Sequence, residues 1–164
     1  MNHLDYCTHW QFADDRDILT RPNFDVNIRL LRRNKDYKLL IEHCCEYIKF
    51  CAETEKDGYK KPHGWSGANA GIPVNIIAFV DNDSTYCFIN PKITKWSGVS
   101  KEVFSNCGSL TFPEKVRIAR DSLINVGFYT LTGAWIEWID VGPVPGYTIQ
   151  HEIAHTNGIL LRNR

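Results

Sequence analysis

Apolar residues recur every three or four positions between Asp36 and about Thr54, and this spacing predicts a long amphipathic helix. The residues that form its apolar face are Tyr37, Leu40, Ile41, Cys44, Ile48, Cys51 and Ala52. The helix is expected to end toward Asp57-Gly58. A loop rich in glycine and polar residues is predicted after it, over residues 59–71.

Apolar runs in the rest of the chain predict β-strands. Residues 76–80 form a continuous apolar run that is typical of a buried strand. Residues 86–89 form the next predicted strand, which is expected to end at Asn90-Pro91. Residues 123–129 and 134–141 are predicted as two further strands joined by a short turn that contains glycine.

The last predicted element is a helix that begins near Tyr147, after a breaker of prolines and glycines at residues 142–146. Strands between an early long helix and a closing helix favour an α+β fold with mixed or antiparallel sheets. The chain has 164 residues, of which 43% are hydrophobic, and this is typical of one compact core. Residues 1–164 are therefore expected to form a single domain.

The charge balance gives no indication of a nucleic-acid partner, because Lys+Arg and Asp+Glu number 19 each. No secretory signal is visible near the start, and no apolar run is long enough to span a bilayer. A reducing cytoplasm is the expected compartment. The cysteines are interpreted as buried thiols, because Cys44 and Cys45 are adjacent and Cys51 lies on the same predicted helix.

The closing helix carries the most informative motif, His151-Glu152-Ile153-Ala154-His155. Residues four apart lie on the same face of a helix, so His151 and His155 can bind one ion together. Glu152 then lies beside that ion, where a carboxylate can take a proton from water and pass it to a leaving group. The motif predicts a hydrolytic metal site, although so short a pattern also occurs by chance on ordinary amphipathic helices.

Hydrolytic sites generally use a third protein ligand, and Cys107 is the best candidate. It lies in a turn-like segment, where the following Gly108 lets the backbone approach an ion or a substrate closely. The competing candidates are a cluster near the start and two isolated histidines: His3, Cys7, His9, His43 and His63. The cluster matches no common zinc spacing, and an isolated histidine is more often a core or surface residue than a ligand.

Taken together, these motifs resemble those of the peptide deformylase family. The family carries G-x-G-x-A-x-x-Q after a long helix, E-G-C-x-S between strands, and H-E-x-x-H on the closing helix. Here the third motif is flanked by Gln150 and Asn157-Gly158 as in the family, and the second keeps Cys107 and Ser109. The resemblance covers most of the chain from about Asp36.

The first family motif is the most altered. The best register places Gly67 and Asn69 at the two glycines, Gly71 at the alanine and Val74 at the glutamine. By resemblance, this loop holds the peptide substrate. The family's glutamine amide would then be missing, and Asn75 is the nearest substitute, although a shift of one residue in a strand turns a side chain to the other face.

The other two motifs each lose a polar residue. Ser105 replaces the family's glutamate in the second motif, and Gly108 stands where leucine is usual. Ala154 replaces the aspartate before the second histidine, which removes a carboxylate that could orient a metal ligand.

The resemblance implies a metallohydrolase that removes the N-formyl group from nascent peptides beginning with formyl-methionine. It implies one divalent ion held by Cys107, His151 and His155, with Glu152 as proton carrier and the backbone N–H of Gly108 as an oxyanion donor. Fe²⁺ is the ion expected in vivo, and Zn²⁺, Ni²⁺ and Co²⁺ also suit a thiolate with two imidazoles.

The expected partner is a formyl-methionyl nascent peptide, which the protein would bind at the ribosome. The protein is expected to be a monomer in a bacterial or phage-infected cell or in an organelle matrix. Tyr147 and Thr148 precede His151 by four and three residues, so they are expected to border the pocket for the methionine side chain. Two other interpretations remain. One is a deformylase-like protein that binds metal and peptide with little activity. The other is a zinc peptidase, which the upstream cysteine ligand disfavours.

Overall fold

The computed structural model describes residues 19–54, 64–105, 107 and 116–160. The helices that it bounds within these residues are α1 (Ile28–Arg33), α2 (Lys35–Glu53) and α3 (Pro143–Thr156). The strands are β1 (Gly64–Ser66), β2 (Ile76–Asp81), β3 (Ser84–Trp96), β4 (Ser100–Ser105), β5 (Val116–Asp121), β6 (Ile124–Tyr129) and β7 (Trp135–Val141).

Five strands form an antiparallel sheet in the order β1-β2-β3-β6-β7, and β4 pairs with β5 in a separate antiparallel sheet. Side chains alternate between the two faces of a strand, so β2 contributes residues to two hydrophobic cores, one on each face of the sheet. Ile76 and Ala78 pack with α2 on one face, whereas Ile77 and Phe79 pack with α3 on the other. The α+β prediction, with sheets around the closing helix, is confirmed.

The long amphipathic helix is confirmed as α2. Asn34 caps it, because the side-chain oxygen accepts a hydrogen bond from the N–H of Tyr37 at 2.9 Å. Cys45 and Cys51 lie in the core beneath this helix, while Cys44 is half-buried. None of the cysteines in the described residues forms a disulfide, as expected, but Cys44 and Cys87 are half-buried where buried thiols were predicted.

The prediction that a strand ends at Asn90-Pro91 is wrong, because β3 continues through both residues to Trp96. Asn90 adopts a left-handed backbone with φ of 48°, and the register to β6 shifts between Ile89 and Lys92. A proline can occupy such an irregularity because no ladder hydrogen bond is lost there. The Asn90 side chain bonds both the N–H and the C=O of Val26, which fixes the bulge.

The closing helix begins at Pro143 rather than near Tyr147, so the predicted breaker is in fact the first turn of the helix. Proline suits this turn because the first N–H groups of a helix have no partner within it. Tyr147 and Thr148 therefore lie inside α3, one turn before the histidines. None of the helices in the described residues is both long and apolar enough to cross a membrane.

Candidate metal centre

The side chains of Cys107, His151 and His155 converge on one point. A ligand atom from each residue lies within 4.8 Å of the others. His155 Nε2 is 3.0 Å from His151 Nε2 and 3.2 Å from Cys107 Sγ. The structure thus brings together the three residues that were predicted as one ligand set.

The α3 helix positions the two histidines relative to both sheets. Ile149 and Ile153 face the five-stranded sheet and pack in the core beneath it. A step of two residues along a helix turns the side chain by about 200°, so His151 and His155 point away from that sheet. They meet Cys107, which follows the end of β4 by two residues. The histidine face of the helix is therefore turned toward β5 and Cys107.

The Gln150 side chain joins α3 to β5 by two hydrogen bonds, next to the ligand His151. Its Oε1 accepts a hydrogen bond from the N–H of Asp121 at 3.1 Å, and its Nε2 donates to the C=O of Asp121 at 2.9 Å. Both bonds use the main chain of the strand, so they fix the strand relative to the helix. The helical turn that carries His151 is thereby held against β5.

This donor set fits a transition-metal ion. Metal–nitrogen and metal–sulfur bonds of about 2.0–2.3 Å in a tetrahedron would separate neighbouring ligand atoms by roughly 3.4–3.6 Å. The two separations that involve His155, 3.0 and 3.2 Å, are slightly shorter than this, and all three ligand atoms lie within 4.8 Å of one another. Cys107 and His155 are almost completely buried. One thiolate and two imidazoles leave a fourth position for water or substrate, which is the arrangement of a hydrolytic centre.

The electrostatics of the histidines favour metal binding. Burial, together with His155 and Arg120, holds the pKa of His151 well below its usual range. Burial and Arg120 lower the pKa of His155 to about 4. Both rings are therefore neutral at pH 7, which is the form that donates a lone pair to a metal.

Glu152 lies beside the ligands but is not one of them. Its Oε1 is 3.9 Å from His151 Nε2, and its Oε2 is a buried atom without a hydrogen-bond partner among the described residues. Burial raises the pKa of Glu152 to about 8, while the Arg120 guanidinium acts in the opposite direction. A nearby divalent ion would also favour the carboxylate. Such a group can accept and return a proton near neutral pH.

The second ring nitrogen of His155 lacks an orienting partner among the described residues. The Nδ1 atom of His155 is buried, and it has no hydrogen-bond partner within the described part of the chain. Histidine ligands usually donate this second N–H to a carboxylate or a carbonyl, which fixes the ring. Here the packing around the ring must orient it instead.

Gly64 is a site residue that the sequence analysis missed. A Cβ atom at this position would lie 2.5 Å from Thr148 Cγ2 and 2.9 Å from Glu152 Oε1. Only a glycine therefore lets β1 lie directly against the side of α3 that carries Glu152. Gly64 is the first glycine of the predicted loop, but the predicted register of the motif began three residues later at Gly67.

Ser66 and Asn69 also lie on this side of the sheet. Ser66 pairs with Ile77, and paired residues of antiparallel strands share a face. Ile77 faces α3, so Ser66 does too. The Ser66 hydroxyl donates a hydrogen bond to Asn69 Oδ1, and both residues are buried. The amide of Asn69 is thus held near the face on which Glu152 lies.

The structure does not bring Val74 to the metal centre. Its side chain packs against the core beneath α2, on the opposite face of the sheet, and its backbone bridges to Phe24. The substitute, Asn75, donates its amide to Asp25 Oδ1 at 2.7 Å near the protein surface. The register that placed Val74 at the family's glutamine is therefore wrong, because Val74 lies in the core on the other side of the sheet from the ligands.

The two glycines of the predicted binding loop allow its backbone conformation. A Cβ on Gly67 would lie 2.4 Å from the carbonyl oxygen of Val74, so only glycine permits this close turn. Gly71 has a left-handed backbone with φ of 74°. Whether their main-chain groups also bind a peptide remains a prediction.

Thr148 and Tyr147 occupy the helical turn before the ligands. Thr148 faces Gly64, and its hydroxyl donates to the C=O of Val144 at 3.3 Å. Tyr147 is half-buried and precedes His151 by one helical turn. Gly108, whose N–H was predicted as an oxyanion donor, lies outside the described residues, as do the rejected ligand candidates His3, Cys7, His9 and His63.

A model of the polypeptide deformylase family matches residues 24–164. The chain belongs to this family. Peptide deformylases from Chloroflexus aurantiacus and Chloroflexus aggregans are 38% and 34% identical to it over 80 residues. That match covers 48% of this chain and 42% of each relative, so it spans less than half of the curated relatives' length.

Solved deformylase structures show the same fold. The class I type b peptide deformylase from Acinetobacter baumannii gives a TM-score of 0.69 at 21% identity, covering 88% of this chain and 90% of that one. The deformylase of the Vibrio parahaemolyticus bacteriophage VP16T, solved with actinonin, gives 0.69 at 21% identity over 92% and 98%. The family match favours the deformylase interpretation over a zinc peptidase.

Proposed function

We propose that this chain hydrolyses the N-formyl group of N-formylmethionyl peptides, with one Fe²⁺ ion held by Cys107, His151 and His155. The proposal rests on one observation above all, the convergence of these three ligands beside the buried Glu152 in a deformylase chain. A divalent ion in that position would supply Lewis acidity toward water and the formyl oxygen.

Glu152 is the proton carrier in this proposal. Its unpartnered Oε2 is an acceptor, and its position one residue after His151 keeps it beside the reacting centre without coordinating. It accepts a proton from the attacking water and delivers it to the amine nitrogen that leaves. The products are formate and a peptide with a free N-terminal amine.

Asn69 takes the place that Val74 was expected to fill. The family's first motif puts its glutamine five positions after its second glycine. If Gly64, which packs against Glu152, is that glycine, the glutamine position falls on Asn69. Ser66 bonds the Oδ1 end of the amide, so the NH₂ end is directed away from Ser66, and we assign this NH₂ group as the donor to the developing oxyanion.

The substrate side of the proposal follows the geometry of α3. Tyr147 and Thr148 border the position of the methionine side chain, and the main chain around Gly67 and Gly71 holds the peptide. Nascent chains leaving the ribosome supply formyl-methionine, so a monomeric protein in the cytoplasm of a bacterial or phage-infected cell fits this substrate.

The direct test is hydrolysis of formyl-Met-Ala-Ser by Fe²⁺-loaded protein under anaerobic conditions, measured as formate release. Turnover of the formyl-peptide, none of the acetyl-peptide, and a lower kcat/KM for formyl-Asp-Ala-Ser are expected. The preference for methionine follows from an apolar pocket beside Tyr147. Tight binding of the ion and the peptide without any formate would instead make the chain a binding protein of the same fold.

Asn69→Ala is expected to lower kcat for formyl-Met-Ala-Ser by about 10²–10³, the effect of losing one oxyanion donor. The matched control is Asn75→Ala, which removes the same amide from a residue bonded to Asp25 and should leave kcat within about twofold. Metal content and the unfolding midpoint establish that both variants fold. If Asn75→Ala were the inactive one, the amide donor would be assigned to the wrong loop position.

A further inference from the structure

Two residues after Gly64 are bonded to each other on the side of the sheet that faces α3. Ser66 ends β1, and Asn69 follows it by three residues. Gly64 lies two positions before Ser66 on the same strand, so both residues face the same side of the sheet. A Cβ on Gly64 would lie 2.9 Å from Glu152 Oε1, so this side of β1 borders the proposed proton carrier.

The Ser66 hydroxyl contacts both the main chain and the side chain of Asn69. Its Oγ accepts a hydrogen bond from the Asn69 N–H at 3.4 Å, and its proton is donated to Asn69 Oδ1. The two bonds are compatible because a hydroxyl donates one proton and accepts through its lone pairs. Both residues are almost completely buried. The carbonyl end of the Asn69 amide is therefore held at Ser66, and this fixes the direction of the NH₂ end.

The turn that carries Asn69 has main-chain bonds that do not use this hydroxyl. The C=O of Ser66 accepts a hydrogen bond from the N–H of Ala70 at 3.1 Å, and the N–H of Gly67 donates to the C=O of Ile76 at 2.9 Å. Both bonds remain when the hydroxyl is removed. The hydroxyl is thus needed more for the direction of the Asn69 side chain than for the path of the backbone.

The same two positions differ together from the family's motif. With Gly64 as its second glycine, G-x-G-x-A-x-x-Q places alanine at position 66 and glutamine at position 69, where this chain has Ser66 and Asn69. Asparagine is one methylene shorter than glutamine, and alanine has no hydroxyl. The shorter amide is therefore accompanied by a hydroxyl that bonds it.

We propose that Ser66 is a positioning residue that acts through the Asn69 amide. The inference rests on the proposed function for its catalytic part, in which the NH₂ group of Asn69 is the oxyanion donor. Such a donor stabilises the transition state only when it is oriented before the reaction begins. Ser66 supplies this orientation, and its role requires no contact with the substrate or the ion.

The kinetic test is a double-mutant cycle on metal-loaded protein with formyl-Met-Ala-Ser. Ser66→Ala should lower kcat by about five- to tenfold, the effect of one neutral hydrogen bond. KM should stay within about twofold, because the donor acts in the transition state. In Asn69→Ala, which already lacks the amide, adding Ser66→Ala should leave kcat within about twofold. Ser84→Ala is the control, since it removes a hydroxyl from an exposed position at the start of β3 and should keep wild-type kcat.

The coupling of the two side chains can be measured without turnover, by urea unfolding of the full chain in the same four variants of the cycle. Ser66→Ala should lower the unfolding midpoint more in the wild type than in Asn69→Ala. Only the wild type is left with a buried amide oxygen that has lost this donor. If the hydroxyl acted only on the main-chain N–H of Asn69, the two losses would be equal, because that N–H is present in both backgrounds.

The double variant Ser66→Ala/Asn69→Gln carries the alanine and the glutamine of the family's motif. It should exceed Ser66→Ala in kcat, because the longer amide of the motif is paired with a residue that has no hydroxyl. A gain in kcat of this kind is not expected from a residue that only supports the turn. The double variant also tests the pair if Ser66→Ala alone does not fold.

Equal falls in kcat from Ser66→Ala in both backgrounds would overturn the proposal, since the hydroxyl would then act independently of the amide. An unchanged kcat in Ser66→Ala would overturn it as well, and so would a folded, metal-loaded double variant that is no faster than Ser66→Ala. Inert wild-type protein would refute the proposed hydrolysis and the catalytic part of this inference with it. The unfolding cycle would still decide whether Ser66 holds Asn69.

Discussion

Glu152→Gln is expected to lower the rate of formyl-Met-Ala-Ser hydrolysis by at least about 10²–10⁴, which is the contribution of a positioned general acid/base. The substitution keeps the size and shape of the side chain but removes the basic oxygen that accepts the proton. Metal content should not change, because Glu152 does not belong to the three converging ligand atoms. The measurement is formate release per iron-loaded chain, with the metal determined on the same sample.

The expected signature is a fall in kcat without a matching rise in KM, because the lost interaction belongs to the transition state. Glu137→Gln is a matched control on β7, where the carboxylate bonds Thr94 at an exposed position of the sheet. That variant should retain wild-type activity. Hydrolysis by Glu152→Gln at more than about a tenth of the wild-type rate would assign the proton transfer to another group.

The parts of the fold that follow local rules were predictable from the sequence. The periodic segment from Asp36 to about Thr54 matches α2 closely, because burial against β2 demands that period. The end that was expected toward Asp57-Gly58 lies too far along the chain, since the helix ends at Glu53. The pairing of His151 with His155 was predicted from their spacing on a helix, whereas Cys107 was added from its chemistry and from the resemblance to the deformylase family. The β4–β5 pairing that brings the cysteine to α3 carries no signal of its own in the sequence.

The parts that failed depend on tertiary contacts. Pro91 is a local strand breaker, but the bonds from Asn90 to Val26 allow β3 to continue past it. Val74 was predicted at the glutamine position because the motif spacing was counted from Gly67 instead of Gly64. Two contacts show which residues match the family's first motif: Val74 is buried under α2, and Gly64 contacts Glu152. Both contacts depend on how the sheet packs, so the sequence alone does not show them.

Cys107→Ala is expected to abolish tight binding of the metal ion. The thiolate is one of three protein ligands, and two imidazoles on one helix cannot hold an ion at three corners of a tetrahedron. Loss of a group that only orients a ligand costs about 10–100-fold in affinity, so loss of a ligand should cost more than that. Metal per chain after dialysis against a competing chelator measures the effect directly.

Cys44→Ala is the matched control for this prediction. It removes a thiol from a half-buried position on α2, across the sheet from the metal centre, and metal content should stay at the wild-type level. Co²⁺-substituted protein adds a spectroscopic measurement, since the thiolate-to-metal absorption should disappear in Cys107→Ala and persist in Cys44→Ala. Undiminished metal binding by Cys107→Ala would remove the cysteine from the ligand set. His151, His155 and a residue outside the described ranges would then have to hold the ion.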